Sequence, residues 1–327
     1  MASLSNFFRP RDPGAGPGFT PVYRPVQRQE IESALRLILA DGNGLASDEA
    51  VLDFLAFALQ RKIDVNEIWV AIVDDHIVWA LLPIISPGRT MLLFTPNRLP
   101  LGTPPSAARE LTDQVCAHWQ KKNVNLAQLL LDPSDENVQE LYVACGFEML
   151  AELIYLQKSV FEPLHVAFPA GFEIVHYSAE SHTDFARAIL HSYEQSLDCP
   201  RLNGRRDIQD VIAGHKASGI FEPNLWHLLR ENGQNRGVLI LSPSPHNESV
   251  ELVYLGIAPE ARGRGIGTLL LRHALNAVHG TGRKELTLAV DALNTPALKL
   301  YYRHGMKRIA SRMALIRELK PATVVSQ

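Results

Sequence analysis

Apolar positions along the chain fall into short blocks with two different periods. Val250 to Ile257 is a nearly unbroken apolar run carrying Val, Tyr and Ile, the pattern of a strand buried on both faces. From Ile266 the apolar positions 266, 270, 274 and 278 recur at helical spacing until Gly280 stops them. The spacing predicts a strand, a glycine-rich turn and a helix, in that order. Leu153 to Leu156 and Phe172 to Val175 read as two further strands, and between them Pro163, Pro169 and Gly171 break the pattern. A domain boundary is expected there. Residues 1–18 carry Pro and Gly but no apolar core region, so they read as a flexible arm and not as a signal peptide.

Each half repeats one order: a strand, helical segments, several strands, a helix, a strand, a short helix and a last strand. Tyr301 minus Tyr142, Gly305 minus Gly146, Asp291 minus Asp132 and Pro259 minus Pro100 all give an offset of 159. Internal duplication accounts for four coincident offsets. The expected organisation is an arm at 1–18, a first domain at 19–160, a linker at 161–171 and a second domain at 172–320.

Composition agrees with two domains. The chain has 327 residues, 46% hydrophobic and 20% charged, beyond the roughly 250 to 300 residues at which one core stops growing. Lys plus Arg number 32 against 35 Asp plus Glu, a net charge of -3, so no positive field exists to hold nucleic acid. The three cysteines, Cys116, Cys145 and Cys199, are too few and too irregular for a disulfide framework or a metal site, which fits a reducing, cytoplasmic location. The 12 His form no HExxH, so no metal is expected. The longest apolar stretch, Ile77 to Ile85, contains Pro83 and is far shorter than the roughly 18 residues of a membrane span. Oligomeric state is not legible.

Most chemistry is concentrated in Arg262-Gly263-Arg264-Gly265-Ile266-Gly267-Thr268, directly after the strand and at the helix start. Glycines let a ligand approach the backbone, and the first helical N–H groups have no internal acceptor, so this turn can seat an anion. A Walker loop would place Lys before the hydroxyl residue, and here Thr268 follows Gly267 directly. A dinucleotide fingerprint counted from Gly263 and Gly265 would need glycine where Thr268 stands. What remains, Arg-x-x-Gly-x-Gly after a strand and a Pro, resembles the GNAT superfamily of acyl-CoA-dependent N-acyltransferases. Asn294-x-x-Ala297-x-x-Leu300-Tyr301-x-x-x-Gly305 matches that family's later motif, with Thr295 expected as helix cap, Pro296 at the first helical position, and Met306 where the family usually has Phe.

The resemblance covers most of residues 172–318 and, more weakly, 20–158. It implies an α/β fold of two tandem GNAT-like domains, each a mixed, mostly antiparallel sheet flanked by helices. It further implies acetyl-CoA as donor, its pyrophosphate on residues 262–268, and the thioester carbonyl on main-chain N–H groups near Leu255, Gly256 and Ile257. Asn294 would bind the coenzyme or orient a water, and Arg264, Arg272 and Arg303 are cations near a 3′-phosphate. Tyr301 occupies the general-acid position and Glu251 the base position for attack by an amine. The acceptor cleft is expected along Tyr193 to Arg206, whose mixed charges suit a polar small molecule or peptide. Cys199 lies there with no His fixed beside it, so a covalent route is disfavoured. In the first half the loop reads Thr103-Pro104-Pro105-Ser106-Ala107-Ala108, and proline has no N–H to donate. That half is expected to have lost its coenzyme site. The alternative for the whole chain is a non-catalytic acyl-CoA sensor, which would need neither Glu251 nor Tyr301.

Overall fold

The computed structural model describes residues 21–40, 44–99 and 103–319. The expected arm at 1–18 and the expected domain end at 320 lie outside the described residues. The elements run twice through one series. The first pass is β1 (Val22–Pro25), α1 (Ile31–Ile38), α2 (Asp48–Gln60), β2 (Trp69–Val73), β3 (His76–Ser86), β4 (Thr90–Phe94), α3 (Pro105–Lys121), β5 (Leu126–Leu131), α4 (Glu136–Ala144) and β6 (Glu148–Ser159). The second is β7 (Phe172–His176), α5 (His182–Tyr193), α6 (Ile208–Lys216), β8 (Trp226–Glu231), β9 (Gln234–Pro243), β10 (Ser249–Ile257), α7 (Ile266–Gly280), β11 (Glu285–Asp291), α8 (Thr295–Arg303) and β12 (Lys307–Glu318). Adding 159 to the bounds of α4 gives 295 and 303, those of α8; adding it to β6 gives 307 and 318, those of β12. The offset seen in residue pairs is thus an offset of whole elements.

The described chain forms two compact units. One runs through Leu82 and includes Thr95–Val115. In it β1, β2 and β3 pair antiparallel, with Val22 opposite Ile72 and Trp69 opposite Leu81. The other contains Pro83–Phe94 and the chain from Cys116, and its strands lie in the order β4-β5-β12-β6-β11-β10-β9-β8-β7. Two neighbours in this order are parallel. β4 pairs β5 over Thr90–Leu92 and Leu126–Gln128, and β10 pairs β11 over Ser249–Glu251 and Glu285–Thr287. Adding 159 to the first register yields the second. Beyond Glu251 and Thr287 the partners part, although β10 continues to Ile257 and β11 to Asp291. A bulge between Leu252 and Tyr254, where β10 pairs with β9, bends β10 at that point.

The two copies exchange their last strands. β6, from the first pass, pairs with β11 of the second, Ser159 opposite Glu285. β12 pairs with β5 of the first, Glu318 opposite Leu126, and β6 and β12 pair with each other, Leu153 opposite Arg312. Each wedge between parting parallel strands is therefore flanked by a strand of the other copy.

Both faces of β8 and β9 are covered. On one face Leu270, Leu271, Ala274, Leu275 and Val278 of α7 pack with Leu239, Leu241, Val250, Leu252, Leu286 and Leu288. On the other, Phe185, Ala188, Ile189 and Ile212 of α5 and α6 pack with Trp226, Leu228, Val238 and Ile240. The four helical positions 266, 270, 274 and 278 are all buried.

One polar contact pins α7 to β8. His273 Nε2 and His227 Nδ1 are 3.1 Å apart, and the His176 ring lies 5.1 Å from that of His227. Burial, and then His273 and His176, push the His227 imidazole down to about 3; burial, and then His176, lower His273. Both rings therefore fold neutral. Their contribution is complete above the unfolded value of about 6.5 and is lost as pH falls from there toward about 3. Thermal melts are expected to show Tm falling by several degrees across that window, and His227→Phe is expected to flatten the fall. An equally steep fall in the variant would place the acid sensitivity elsewhere.

Candidate active site

β10 leads through a 3-10 turn (Pro259–Ala261) into the glycine loop and α7. Gly263 and Gly265 have φ of 73° and 81°, and a Cβ built on either meets nothing within 4 Å. Both residues lie in the left-handed region that favours glycine, and the space before them is open. No side chain caps α7, and Leu269 N–H donates to Gly265 O at 3.1 Å, so the amides of Ile266, Gly267 and Thr268 precede that helical bond. Ile266 is buried at 4% exposure and anchors the start. Gly267 answers to packing: a Cβ there would lie 3.2 Å from both Ile257 Cδ1 and Leu300 Cδ2. A cavity of about 350 Å³ continues from Gly265, Thr268, Leu269 and Arg272 to His165, Val166 and Ala167. Arg272 Nη2 donates to His165 O at 3.2 Å, so the segment joining the copies forms one wall. This geometry fits a pyrophosphate on the loop and a nucleotide beyond it.

The arginines of the loop are engaged with protein atoms. Arg262 donates to Ile257 O at 3.2 Å, Gln195 O at 3.1 Å and Ser192 O at 2.9 Å, tying the loop to the end of α5. Arg264 makes a bidentate pair with Glu231 on β8 at 3.0 and 2.5 Å, which holds that carboxyl below its ordinary range.

Leu255, Gly256 and Ile257 pair with Leu239, Val238 and Gly237 of β9, where pairing with β11 has already ceased. The edge facing the wedge is thus available to a ligand's polar groups. Gly256 is fixed by crowding, because a Cβ would lie 2.4 Å from Ser192 Oγ and 2.6 Å from the Tyr254 hydroxyl. Those two oxygens are themselves 2.6 Å apart, and burial pushes the Tyr254 hydroxyl well above its ordinary range.

Tyr301 lies in α8 at 6% exposure, its ring within the core that joins α7 to β10 and β11. Burial first, and then the charge of Asp198, raise its hydroxyl far above the usual phenol value, so it remains a proton donor. Glu251 is exposed on β10 at the last residue paired with β11, where the wedge opens. Its charge reaches Tyr155 of β6, a half-buried residue of the exchanged strand on which Arg312 also acts.

Asn294, not Thr295, caps α8: its Oδ1 accepts from Ala297 N–H at 3.4 Å, and Thr295 and Pro296 are the first two helical residues. The motif admits either hydroxyl or amide oxygen as cap, and the amide is the one in reach. Asn294 also bonds through its side chain to Asp198.

Residues 193–206 form a clamped loop. Cys199 stands in the left-handed region at φ 44°, its N–H donating to Asp291 Oδ2 at 3.1 Å. Arg201 Nη1 donates to Met149 O at 2.6 Å, and Arg205 pairs with Glu148 at 2.9 Å, so the start of β6 holds the loop in place. Burial, then Asp198 and Asp291, push the Cys199 thiol far up, which leaves it inert as a nucleophile. Among the described residues no group of His, Cys, Asp and Glu could hold a metal ion, and no helix is long and apolar enough to cross a membrane.

The splayed parallel strands, the glycine loop at the helix start and the two-copy sheet define a tandem GNAT fold. Residues 190–306 match the acetyltransferase (GNAT) family. A mycothiol acetyltransferase of Clavibacter michiganensis is 29% identical over 175 residues, 52% of this chain and 55% of that protein. A streptothricin acetyltransferase of Streptomyces lavendulae is 35% identical over 103 residues, 32% of this chain and 52% of that one. The chain thus spans about half the length of the curated relatives it matches. A GCN5-related N-acetyltransferase from Sphaerobacter thermophilus superposes with a TM-score of 0.59 at 16% identity, covering 92% of this chain and 96% of its own, and so shares the fold.

Proposed function

We propose that the chain is an N-acetyltransferase whose C-terminal copy moves an acetyl group from acetyl-CoA to a primary amine of a polar small molecule or peptide. The observation that carries this reading is the intact glycine loop at the mouth of the wedge between β10 and β11. The pyrophosphate rests on the amides of residues 263–268, and the pantetheine arm follows the open edge of β10. The thioester carbonyl receives main-chain N–H groups near Leu255–Ile257, where charge develops in the transition state. Glu251 takes the proton of the incoming ammonium, and Tyr301 donates to the leaving thiolate. Both curated relatives are named as acetyltransferases of small molecules, which supports an acceptor of that kind and, with the tandem architecture, one similar to that of mycothiol synthase. A sensor that merely binds acyl-CoA would need neither Glu251 nor Tyr301.

The test is thiol release from acetyl-CoA across a panel of amines, amino sugars and peptides. Release with none of them, alongside tight acetyl-CoA binding, would favour the sensor. The loop of the first copy has Pro104 and Pro105 where the second has Gly263 and Arg264, so two amide donors are missing. One acetyl-CoA per chain is therefore expected by titration calorimetry. Two equivalent sites would show that the first copy still binds.

A further inference from the structure

The loop at 193–206 is held at three places, each by a different part of the fold. At its far end, Met149 O and the Glu148 carboxylate of β6 accept from Arg201 and Arg205. Its middle is held by Asp291 of β11, whose Oδ2 accepts from Cys199 N–H and whose own N–H donates to Asp198 Oδ1 at 3.3 Å. Its near end, where the chain leaves α5, is held by Arg262 of the glycine loop. Arg262 Nη2 donates to Ser192 O and Nη1 to Gln195 O, while Nε donates to Ile257 O at the end of β10. The last carbonyls of a helix have no intrahelical donor, and Gln195 stands in the left-handed region at φ 54°, so the chain turns there and offers two carbonyls to one guanidinium. The edge that takes the thioester lies beside this hold. Ser192 Oγ donates its one proton to Ile189 O at 2.7 Å, so in its 2.6 Å contact with the Tyr254 hydroxyl the tyrosine is the donor. Those two oxygens leave no room for a Cβ on Gly256, and the Tyr193 ring meets the Tyr254 ring edge-on at 6.0 Å. The first residue of the loop is therefore packed against β10 next to Gly256.

We propose that Arg262 is a positioning residue: it fixes the wall that receives the amine against the strand that receives the thioester, and it does not bind the coenzyme. The role rests on the acetyltransferase reading above. Each of the three guanidinium nitrogens already donates to a carbonyl, on two separate segments of chain, and none of these bonds involves an anion. A planar fork of N–H groups suits three such acceptors at once, whereas the compact ammonium of a lysine on its flexible stem does not hold them in one geometry. Without the fork, the near end of the loop is free to shift against β10 while the holds from β6 and Asp291 remain, so the chain keeps its fold. A misplacement of about 1 Å between reacting groups is enough to cost about 100-fold. The amides of residues 263–268, on which the pyrophosphate rests, are left as they were.

Two variants separate this role from phosphate binding. Arg262→Lys keeps the charge and loses the fork, and Arg262→Met loses both. Both are expected to bind acetyl-CoA as the wild type does, by calorimetry. Both are expected to lower kcat/KM for an amine found in the panel by about 10- to 100-fold, with KM for the amine raised and KM for acetyl-CoA unchanged. In the protein without substrates, hydrogen exchange is expected to quicken in both variants at the amides of residues 194–199 and to stay at its wild-type rate across α7. A bond to phosphate would give another pattern: weaker acetyl-CoA binding in Arg262→Met, largely restored in Arg262→Lys. That pattern, a wild-type kcat/KM for the amine in Arg262→Lys, or unchanged exchange at 194–199 would each overturn the positioning role while leaving the acetyltransferase reading intact. A wild-type chain that acetylates no amine would remove that reading, and this role with it.

Discussion

Gly265→Asp is expected to weaken acetyl-CoA binding by more than about 100-fold, whereas Gly265→Asn should weaken it far less. Gly265 has φ 81° and open space where its Cβ would be. Asn and Asp tolerate this left-handed conformation similarly, at a strain of roughly 1–2 kcal/mol, so the backbone cost is common to both. They differ in charge. The carboxylate would project into the space before the α7 amides, where the reading places the pyrophosphate, and like charges brought together cost several kcal/mol. At about 1.4 kcal/mol per tenfold, that is two or more orders of magnitude in affinity. Calorimetry on the two variants, with melts to show that both fold, measures the difference. Equal losses for Asn and Asp would mean that no anion sits on the loop.

The choice of Gly265 over Gly267 shows what the sequence conceals. Both glycines belong to one motif and look equivalent in one dimension. In the fold Gly265 faces open space, while Gly267 is pressed against Ile257 and Leu300. A substitution at Gly267 would disturb packing before it met a phosphate. Arg262 likewise reads as part of the pyrophosphate seat and Arg264 as a phosphate cation, because an arginine in a glycine loop carries no sign of its partner. Its partners here, the carbonyls of Ser192 and Gln195 and the carboxylate of Glu231, lie on distant segments.

β10 and α7 were legible because each buries a continuous face, and the period of apolar residues reports that burial directly. The duplication was legible because both copies kept the offset. The exchange of β6 and β12 was not, since each strand would present the same alternation to either sheet and pairing partners leave no trace in that pattern. The exchange nevertheless brings residues of the first copy against the loop at 193–206. It supplies Glu148 and Met149, which hold that loop. The partners of Asp198 are hidden for the same reason: Asp291 and Asn294 lie nearly a hundred residues away along the chain.

Tyr301→Phe is expected to leave acetyl-CoA affinity unchanged and to lower turnover by about 10- to 10,000-fold, the range for losing a general acid or base. Phe keeps the ring that fills the core beneath α8, so stability should hold. The hydroxyl is kept protonated by burial and by Asp198, so across ordinary pH the wild type always has this proton to give. The deficit of Tyr301→Phe should accordingly be flat with pH up to the range where CoA thiol itself ionises. Glu251→Gln should behave differently. Glu251 stands exposed at the mouth of the wedge and is needed only while the acceptor arrives as an ammonium. Its deficit should shrink as pH rises toward roughly 10, near the intrinsic value for an alkyl amine. Thiol release measured for both variants from neutral to alkaline pH, with an acceptor found in the panel, separates the two roles. Equal rates for wild type and Tyr301→Phe would take the tyrosine out of the mechanism. A Glu251→Gln deficit that persists at high pH would make the glutamate a group that orients the amine without receiving its proton.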